Sequence, residues 1–138
     1  MPVIATDTQR YSNVVKREFG AEYGYCKQIV TVNGPAATLP IGTVLGKVTA
    51  TGKYKVCEAS AVDGSQVAVA VVVGDAMGHP MPTVMAATTD TKFLVLYRGP
   101  VAVSDKALTF GASVTAGALT TAAYAQLAAV GIDVLTTI

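Results

Sequence analysis

The chain has 138 residues, 51% of them hydrophobic and 14% charged, with ten basic and nine acidic side chains and a net charge of +1. A single domain of this length can bury about 68% of the surface its unfolded form exposes, so it needs no disulfide or metal staple. The near-zero charge leaves no field to hold a polyanion, which excludes nucleic acid as a partner class, since affinity there comes mainly from neutralised phosphates. The charged fraction lies well below the usual ~25%, which predicts that apolar surface left over by folding is covered in an oligomer or a large assembly.

Residues 1–27 hold seven of the 19 charges, at Asp7, Arg10, Lys16, Arg17, Glu18, Glu22 and Lys27. Their apolar residues Val14, Val15, Phe19, Tyr23 and Tyr25 are interrupted by charges and glycines, with no sustained alternation. Such a stretch cannot bury enough to offset about 1–2 kcal/mol of backbone entropy per ordered residue, so it reads as an extended arm on a body of residues 28–138. The alternative is a short helix over residues 12–19, capped by Ser12 or Asn13 and packed on the body. The opening MPVIATDTQR has neither a basic nor an apolar leader region, so no secretory signal is expected. Cys26 and Cys57 have no CxxC or Cys/His spacing and read as reduced thiols rather than metal ligands.

From Gln28 onward the pattern is that of a β-protein. Residues 28–33, 43–50, 53–59, 66–74, 92–98, 101–104 and 132–137 are rich in Val, Ile, Thr and Tyr and predict strands. Thr51-Gly52 has hairpin spacing, and Asp63-Gly64 precedes the run SQVAVAVVVG, which predicts a strand buried on both faces. Prolines mark loops at residues 33–40 and at GHPMP, residues 78–82. A helix is expected over residues 121–129, capped by Thr120 or Thr121, closed by Gly131, with Tyr124, Leu127 and Ala128 facing inward. The uncharged span 107–132 is mostly Ala, Gly, Thr and Ser, too poor in large apolar side chains for a membrane helix.

Enzyme chemistry finds little support. His79 stands in a proline-flanked loop, the nine carboxylates are dispersed, and neither GxGxxG nor a Walker-type glycine loop occurs. Ser104-Asp105-Lys106 gathers a hydroxyl, a carboxylate and an amine, but adjacent residues on an extended chain point to opposite faces, so it reads as a turn. Met77, Met81 and Met85 recur every four residues, but Pro80 and Pro82 break any helix that would align them. No cofactor is expected.

Four stretches carry a resemblance: ATGKYKVCEASAVDGSQVAVAVVVGDA at residues 50–76, DTKFLVLYRGPVAV at residues 90–103, the Ala-rich helix at residues 120–129, and the closing strand from Ile132. In order and approximate spacing they resemble the head decoration proteins of lambda-like tailed phages over about two-thirds of the chain; residues 1–30 and the GHPMP loop depart from the shortest family members. The resemblance implies a mainly β, compact β-clip-like domain with one short C-terminal helix and an extended N-terminal arm. It further implies a homotrimer on the outer surface of the virion capsid, made in the host cytoplasm, attached at threefold positions of the expanded shell. The partner it implies is the major capsid protein, reached by the arm through Thr6, Tyr11, Val14, Val15, Phe19, Tyr23, Tyr25 and Ile29. An arm of 27 residues could span at most about 90 Å and could add a strand to an exposed sheet edge. One rival reading is a virion or cell-surface ligand-binding β-domain using Tyr54, His79 and Tyr97; another is an enzyme subunit whose site forms between protomers.

Overall fold

The structure, a computed structural model, describes residues 14–20, 26–33, 37–39, 41–74, 85–87, 90–111, 114 and 118–135. Within them the chain is mainly β with one short helix, as its Val- and Thr-rich runs lead one to expect.

Five strands close a barrel: β2 (Lys27–Asn33), β4 (Val44–Lys47), β5 (Tyr54–Val56), β6 (Ala70–Gly74) and β8 (Asp90–Leu96), in the order β2-β5-β4-β6-β8. β2 and β8 run antiparallel from Lys27↔Leu96 to Asn33↔Asp90. β6 sits between β4 and β8, pairing Val44↔Val71 and Val71↔Leu96, and all five of its residues are buried. Its continuous Ala/Val run is therefore the signature of a central strand covered on both faces. At the edges of that core the pattern returns to alternation: in β2, Val30 and Val32 point inward while Ile29 faces out. One parallel pair, Val32↔Tyr54, closes the ring. Phe93, Ile41, Leu45 and Leu96 are the largest of its fully buried side chains.

Between β4 and β5 the chain reverses through Gly52 at φ +73°, whose N–H donates to Val48 O at 2.8 Å. Only glycine takes that conformation without strain, which is why Thr51-Gly52 marks the hairpin. At the barrel rim, Asp90 accepts from Asn33 Nδ2 at 2.6 Å and from Lys53 Nζ at 2.6 Å. These two bonds, Lys53 foremost, lower the Asp90 carboxyl from its ordinary range. In the loop before β6, Asp63 accepts from Ser65 Oγ at 2.6 Å, Ser65 N at 3.1 Å and Lys55 Nζ at 3.3 Å. Led by the Ser65 bonds, this set holds the Asp63 carboxyl down at about 2.

A second sheet has the order β1-β9-β10, from β1 (Val15–Glu18), β9 (Val101–Ser104) and β10 (Ile132–Leu135). β9 is antiparallel to β1 and parallel to β10, and a parallel neighbour needs a crossover. Helix α1 (Ala118–Ala129) lies in that crossover and packs on β10. It begins three residues earlier than expected, so Thr120 and Thr121 lie within it rather than capping it. Its inward face is also different: Ala123 and Leu127 are buried at i and i+4, Tyr124 is half-buried beside the Phe110 ring, and Ala128 is exposed. An Ala-rich helix is apolar on every side, so composition could not pick the face that β10 covers. The helix end matches expectation, with Gly131 at φ +89° and its N–H donating to Ala128 O at 3.0 Å. Gly131 also lies so close to Gly99 that a Cβ on either would collide with the other's backbone.

Two short strands, β3 (Ala37–Leu39) and β7 (Met85–Ala87), pair antiparallel. β3 corrects the expectation of a plain loop over residues 33–40; three residues are too few to display a period. Ser104-Asp105-Lys106 leads into a 3-10 turn, Asp105–Ala107, in keeping with the turn reading. His79, Met77, Met81, the GHPMP loop and residues 1–13 lie outside the described residues.

Candidate functional site

β1 falls within the stretch that reads in sequence as an arm or a short helix, and its four residues are a strand paired with β9. Val15 pairs with Val103, a bulge takes up Lys16, and Arg17 and Glu18 face Ala102 and Val101. Val14, just ahead of the strand, is fully buried and Val15 is 9% exposed, in the core cluster that also holds Val101, Val103, Leu127 and Ile132. Val14 and Val15, expected as capsid contacts, are thus buried within the chain's own core. β1 is the outermost strand of this sheet among the described residues, with β9 as its strand neighbour.

Beyond β1 the chain is latched to the body. Phe19 N donates to Pro100 O at 3.1 Å, and the Cys26 thiol donates to Phe19 O at 3.4 Å and Pro100 O at 3.7 Å. Glu18, nearly buried, is ion-paired with Lys27 at 3.4 Å, tying the end of β1 to the start of β2. Burial, with the Glu18 charge second, raises the Cys26 pKa; burial, followed by Glu58, pushes Cys57 up to about 11. Both thiols are free and stay protonated near neutrality, so they act as small packing groups rather than nucleophiles.

The outward face of this sheet carries a cleft of about 350 Å³ lined by Arg17, Glu18, Phe19, Gly20, Pro100, Val101, Ala102 and Asp133. Both Arg17 and Asp133 are in register with Ala102, so a cation and an anion flank a small apolar floor. No hydroxyl, imidazole or thiol lines it, and among the described residues no three His, Cys, Asp or Glu side chains come together for a metal. Such a surface suits a polypeptide partner better than a reaction: it offers a sheet flank, an apolar floor and charges of both signs, Arg17 against Glu18 and Asp133.

Of the other expected contact residues, Phe19 is 56% and Ile29 48% exposed, while Thr6, Tyr11, Tyr23 and Tyr25 lie outside the described residues. The structure therefore places Phe19 at the cleft and leaves Ile29 on the outer side of β2. Arg17 and Asp133 escaped sequence reasoning, because only the register of two distant strands brings them to one row. Tyr54, invoked for a ligand-binding reading, is buried at 8% exposure, which raises its hydroxyl pKa. A second cleft of about 210 Å³ lies between α1 and the loop before β6, lined by Cys57, Ala59, Gln66, Val114, Leu119, Ala122, Ala123 and Gln126. No helix of the described residues is long and apolar enough to cross a membrane.

The family profile described as Bacteriophage lambda head decoration protein D matches residues 5–132. The chain belongs to that family. The match takes in the body from β1 to the first residue of β10, and the segment ahead of β1 from residue 5. No curated protein matches the chain. As a phage head decoration protein it associates with the exterior of the capsid, and its family is one of structural capsid proteins rather than of enzymes.

Proposed function

We propose that this decoration protein binds as a homotrimer to the outside of the expanded capsid at threefold positions and clamps neighbouring capsid subunits against the pressure of packaged DNA. Its partner is the major capsid protein. The observation that carries the reading is the family match, which extends through residues 5–13 ahead of β1 as well as over the body. Residues 1–13 lead directly into β1, the outer strand of the three-stranded sheet among the described residues, whose cleft bears Arg17, Phe19 and Asp133. Strand addition there supplies main-chain hydrogen bonds without a deep pocket. With Val14 and Val15 committed to the body, the residues left for capsid contact are Thr6 and Tyr11 ahead of β1, and Phe19, Tyr23, Tyr25 and Ile29 beyond it. Three copies acting together raise the effective concentration of each contact, so individually weak docking becomes firm. No bond is made or broken.

Co-sedimentation of the full chain with expanded and unexpanded phage heads tests this. Saturable binding to expanded heads alone, near three copies per threefold site, is the expected result, with a chain beginning at Val14 losing it. Equal binding to both head forms, or full decoration by the chain beginning at Val14, overturns the mechanism.

A further inference from the structure

Arg17, Ala102 and Asp133 form one row across the three-stranded sheet, since the first and the last are both in register with Ala102. Neighbouring strands lie about 4.8 Å apart, which sets the two charged residues about 10 Å from each other with one small side chain between them. Alternation puts the row on the outer face: Val101, Val103 and Ile132 are buried beneath it, whereas Arg17 and Asp133 are exposed. The row is therefore a trough within the larger cleft, with a methyl floor, a cationic lip and an anionic lip, and Phe19 and Pro100 wall it on one side.

Opposite charges elsewhere on the molecule are closed against each other, Lys53 on Asp90 at 2.6 Å and Lys55 on Asp63 at 3.3 Å. Glu18, which also lines the cleft, is engaged by Lys27 at 3.4 Å, with a side chain only 5% exposed. Arg17 and Asp133 are held apart by the width of β9, and among the described residues neither has an ion-pair partner.

Charge decides what such a trough can take. A partner of one sign satisfies one lip and is repelled by the other, and a wholly apolar partner strips water from both charges without replacing it. What fits carries an acid and a base on the same face. In an extended chain residues i and i+2 share a face and stand about 7 Å apart, and the length of the Arg17 side chain makes up the remaining gap. An α-helix, about 10–12 Å across with its side chains, is too wide to settle between the lips.

We infer that this trough docks an extended segment of the major capsid protein that carries an acidic residue against Arg17 and, two positions along, a basic residue against Asp133. The inference rests on the capsid-binding reading above and deepens it by naming the chemistry of the partner at this face. Both pairs lie at an exposed rim, so they select the partner segment and speed its docking, and salt weakens them.

Co-sedimentation with expanded heads at low salt, about 50 mM, compares the wild type with variants of the row. R17E and D133K should each raise the concentration for half-saturation by about tenfold, and R17Q and D133N by less, because a neutral side chain removes attraction without adding repulsion. A102W, which fills the floor of the trough, should weaken binding as much as either reversal. All five positions of change face outward and should keep the wild-type thermal midpoint. K92E, a reversal at an exposed position on the barrel, should bind as the wild type does. At about 500 mM salt the gap between the wild type and the reversed variants should narrow. Unchanged half-saturation in R17E, D133K and A102W, with wild-type binding intact, overturns the inference and leaves the decoration reading standing. An equal loss in K92E also overturns it, and so does a change in the mass of the free R17E chain, which would assign the face to a contact between copies. A wild type that binds no heads overturns the decoration reading itself, and this inference with it.

Discussion

In the barrel, β6 brings five consecutive buried residues to a place between β4 and β8, and β2 meets β8 over seven residue pairs. The three-stranded sheet is built from residues 15–18, 101–104 and 132–135, so each strand must find its partner across a large part of the chain. In the barrel, burial follows from a run or an alternation of apolar residues. In the sheet, burial of Val14 and Val15 depends on a strand partner more than 80 positions away, through the pair Val15↔Val103. An apolar pair among charges is therefore no guide to whether it serves the chain's own core or a partner's.

The comparison can be broken most directly by truncation. A chain beginning at Gln28 loses Val14, Val15 and Cys26 from the core and uncovers Val101 and Val103, and should lose about 3–6 kcal/mol in urea unfolding from the two valines alone. A chain beginning at Val14 should keep the full midpoint; equal stability of the two truncations would return β1 to a detached arm. Within the barrel, Phe93→Ala removes a large buried side chain and is expected to cost about 3–5 kcal/mol by the same measurement. Val14→Ala, in the sheet, should cost about 2 kcal/mol, and no shift would mean that β1 adds nothing to the body.

A finer distinction comes from acid. Asp63 has a folded pKa of about 2, depressed mainly by the Ser65 bonds, against about 3.9 unfolded. A depressed carboxyl contributes stability that is present above the unfolded value and lost as pH falls through the folded one. Stability of the wild type should thus decline from about pH 4 down to about pH 2, and Asp63→Asn should flatten part of that slope in acid titrations followed by circular dichroism. The smallest effect concerns the thiols: Cys26 and Cys57, buried and held protonated, should react with a thiol reagent much more slowly in the native protein than after unfolding. Fast native labelling at Cys26 would show that the latch between Phe19 and Pro100 opens.

The candidate site was only partly legible. Phe19, Ile29, Val14 and Val15 carried the same signal of apolar residues expected to meet the capsid, yet the first two are exposed and the last two are core residues. Arg17 and Asp133 had no local signal, since their common row is a matter of register with Ala102.

Local chemistry by itself determined the mainly β class, the strands β2, β4, β5, β6, β8, β9 and β10, the reversal at Gly52, the closure of α1 at Gly131 and the low charge that calls for an assembly. Those features follow from backbone preference and periodicity, which act over a few residues. Only the tertiary structure decided that β1 belongs to the body, that β3 pairs with β7, which face of α1 meets β10, and where charged and uncharged surfaces lie. Each of these depends on which distant segment supplies the missing hydrogen bonds and covers the apolar surface, and a pattern read along the chain does not contain that information.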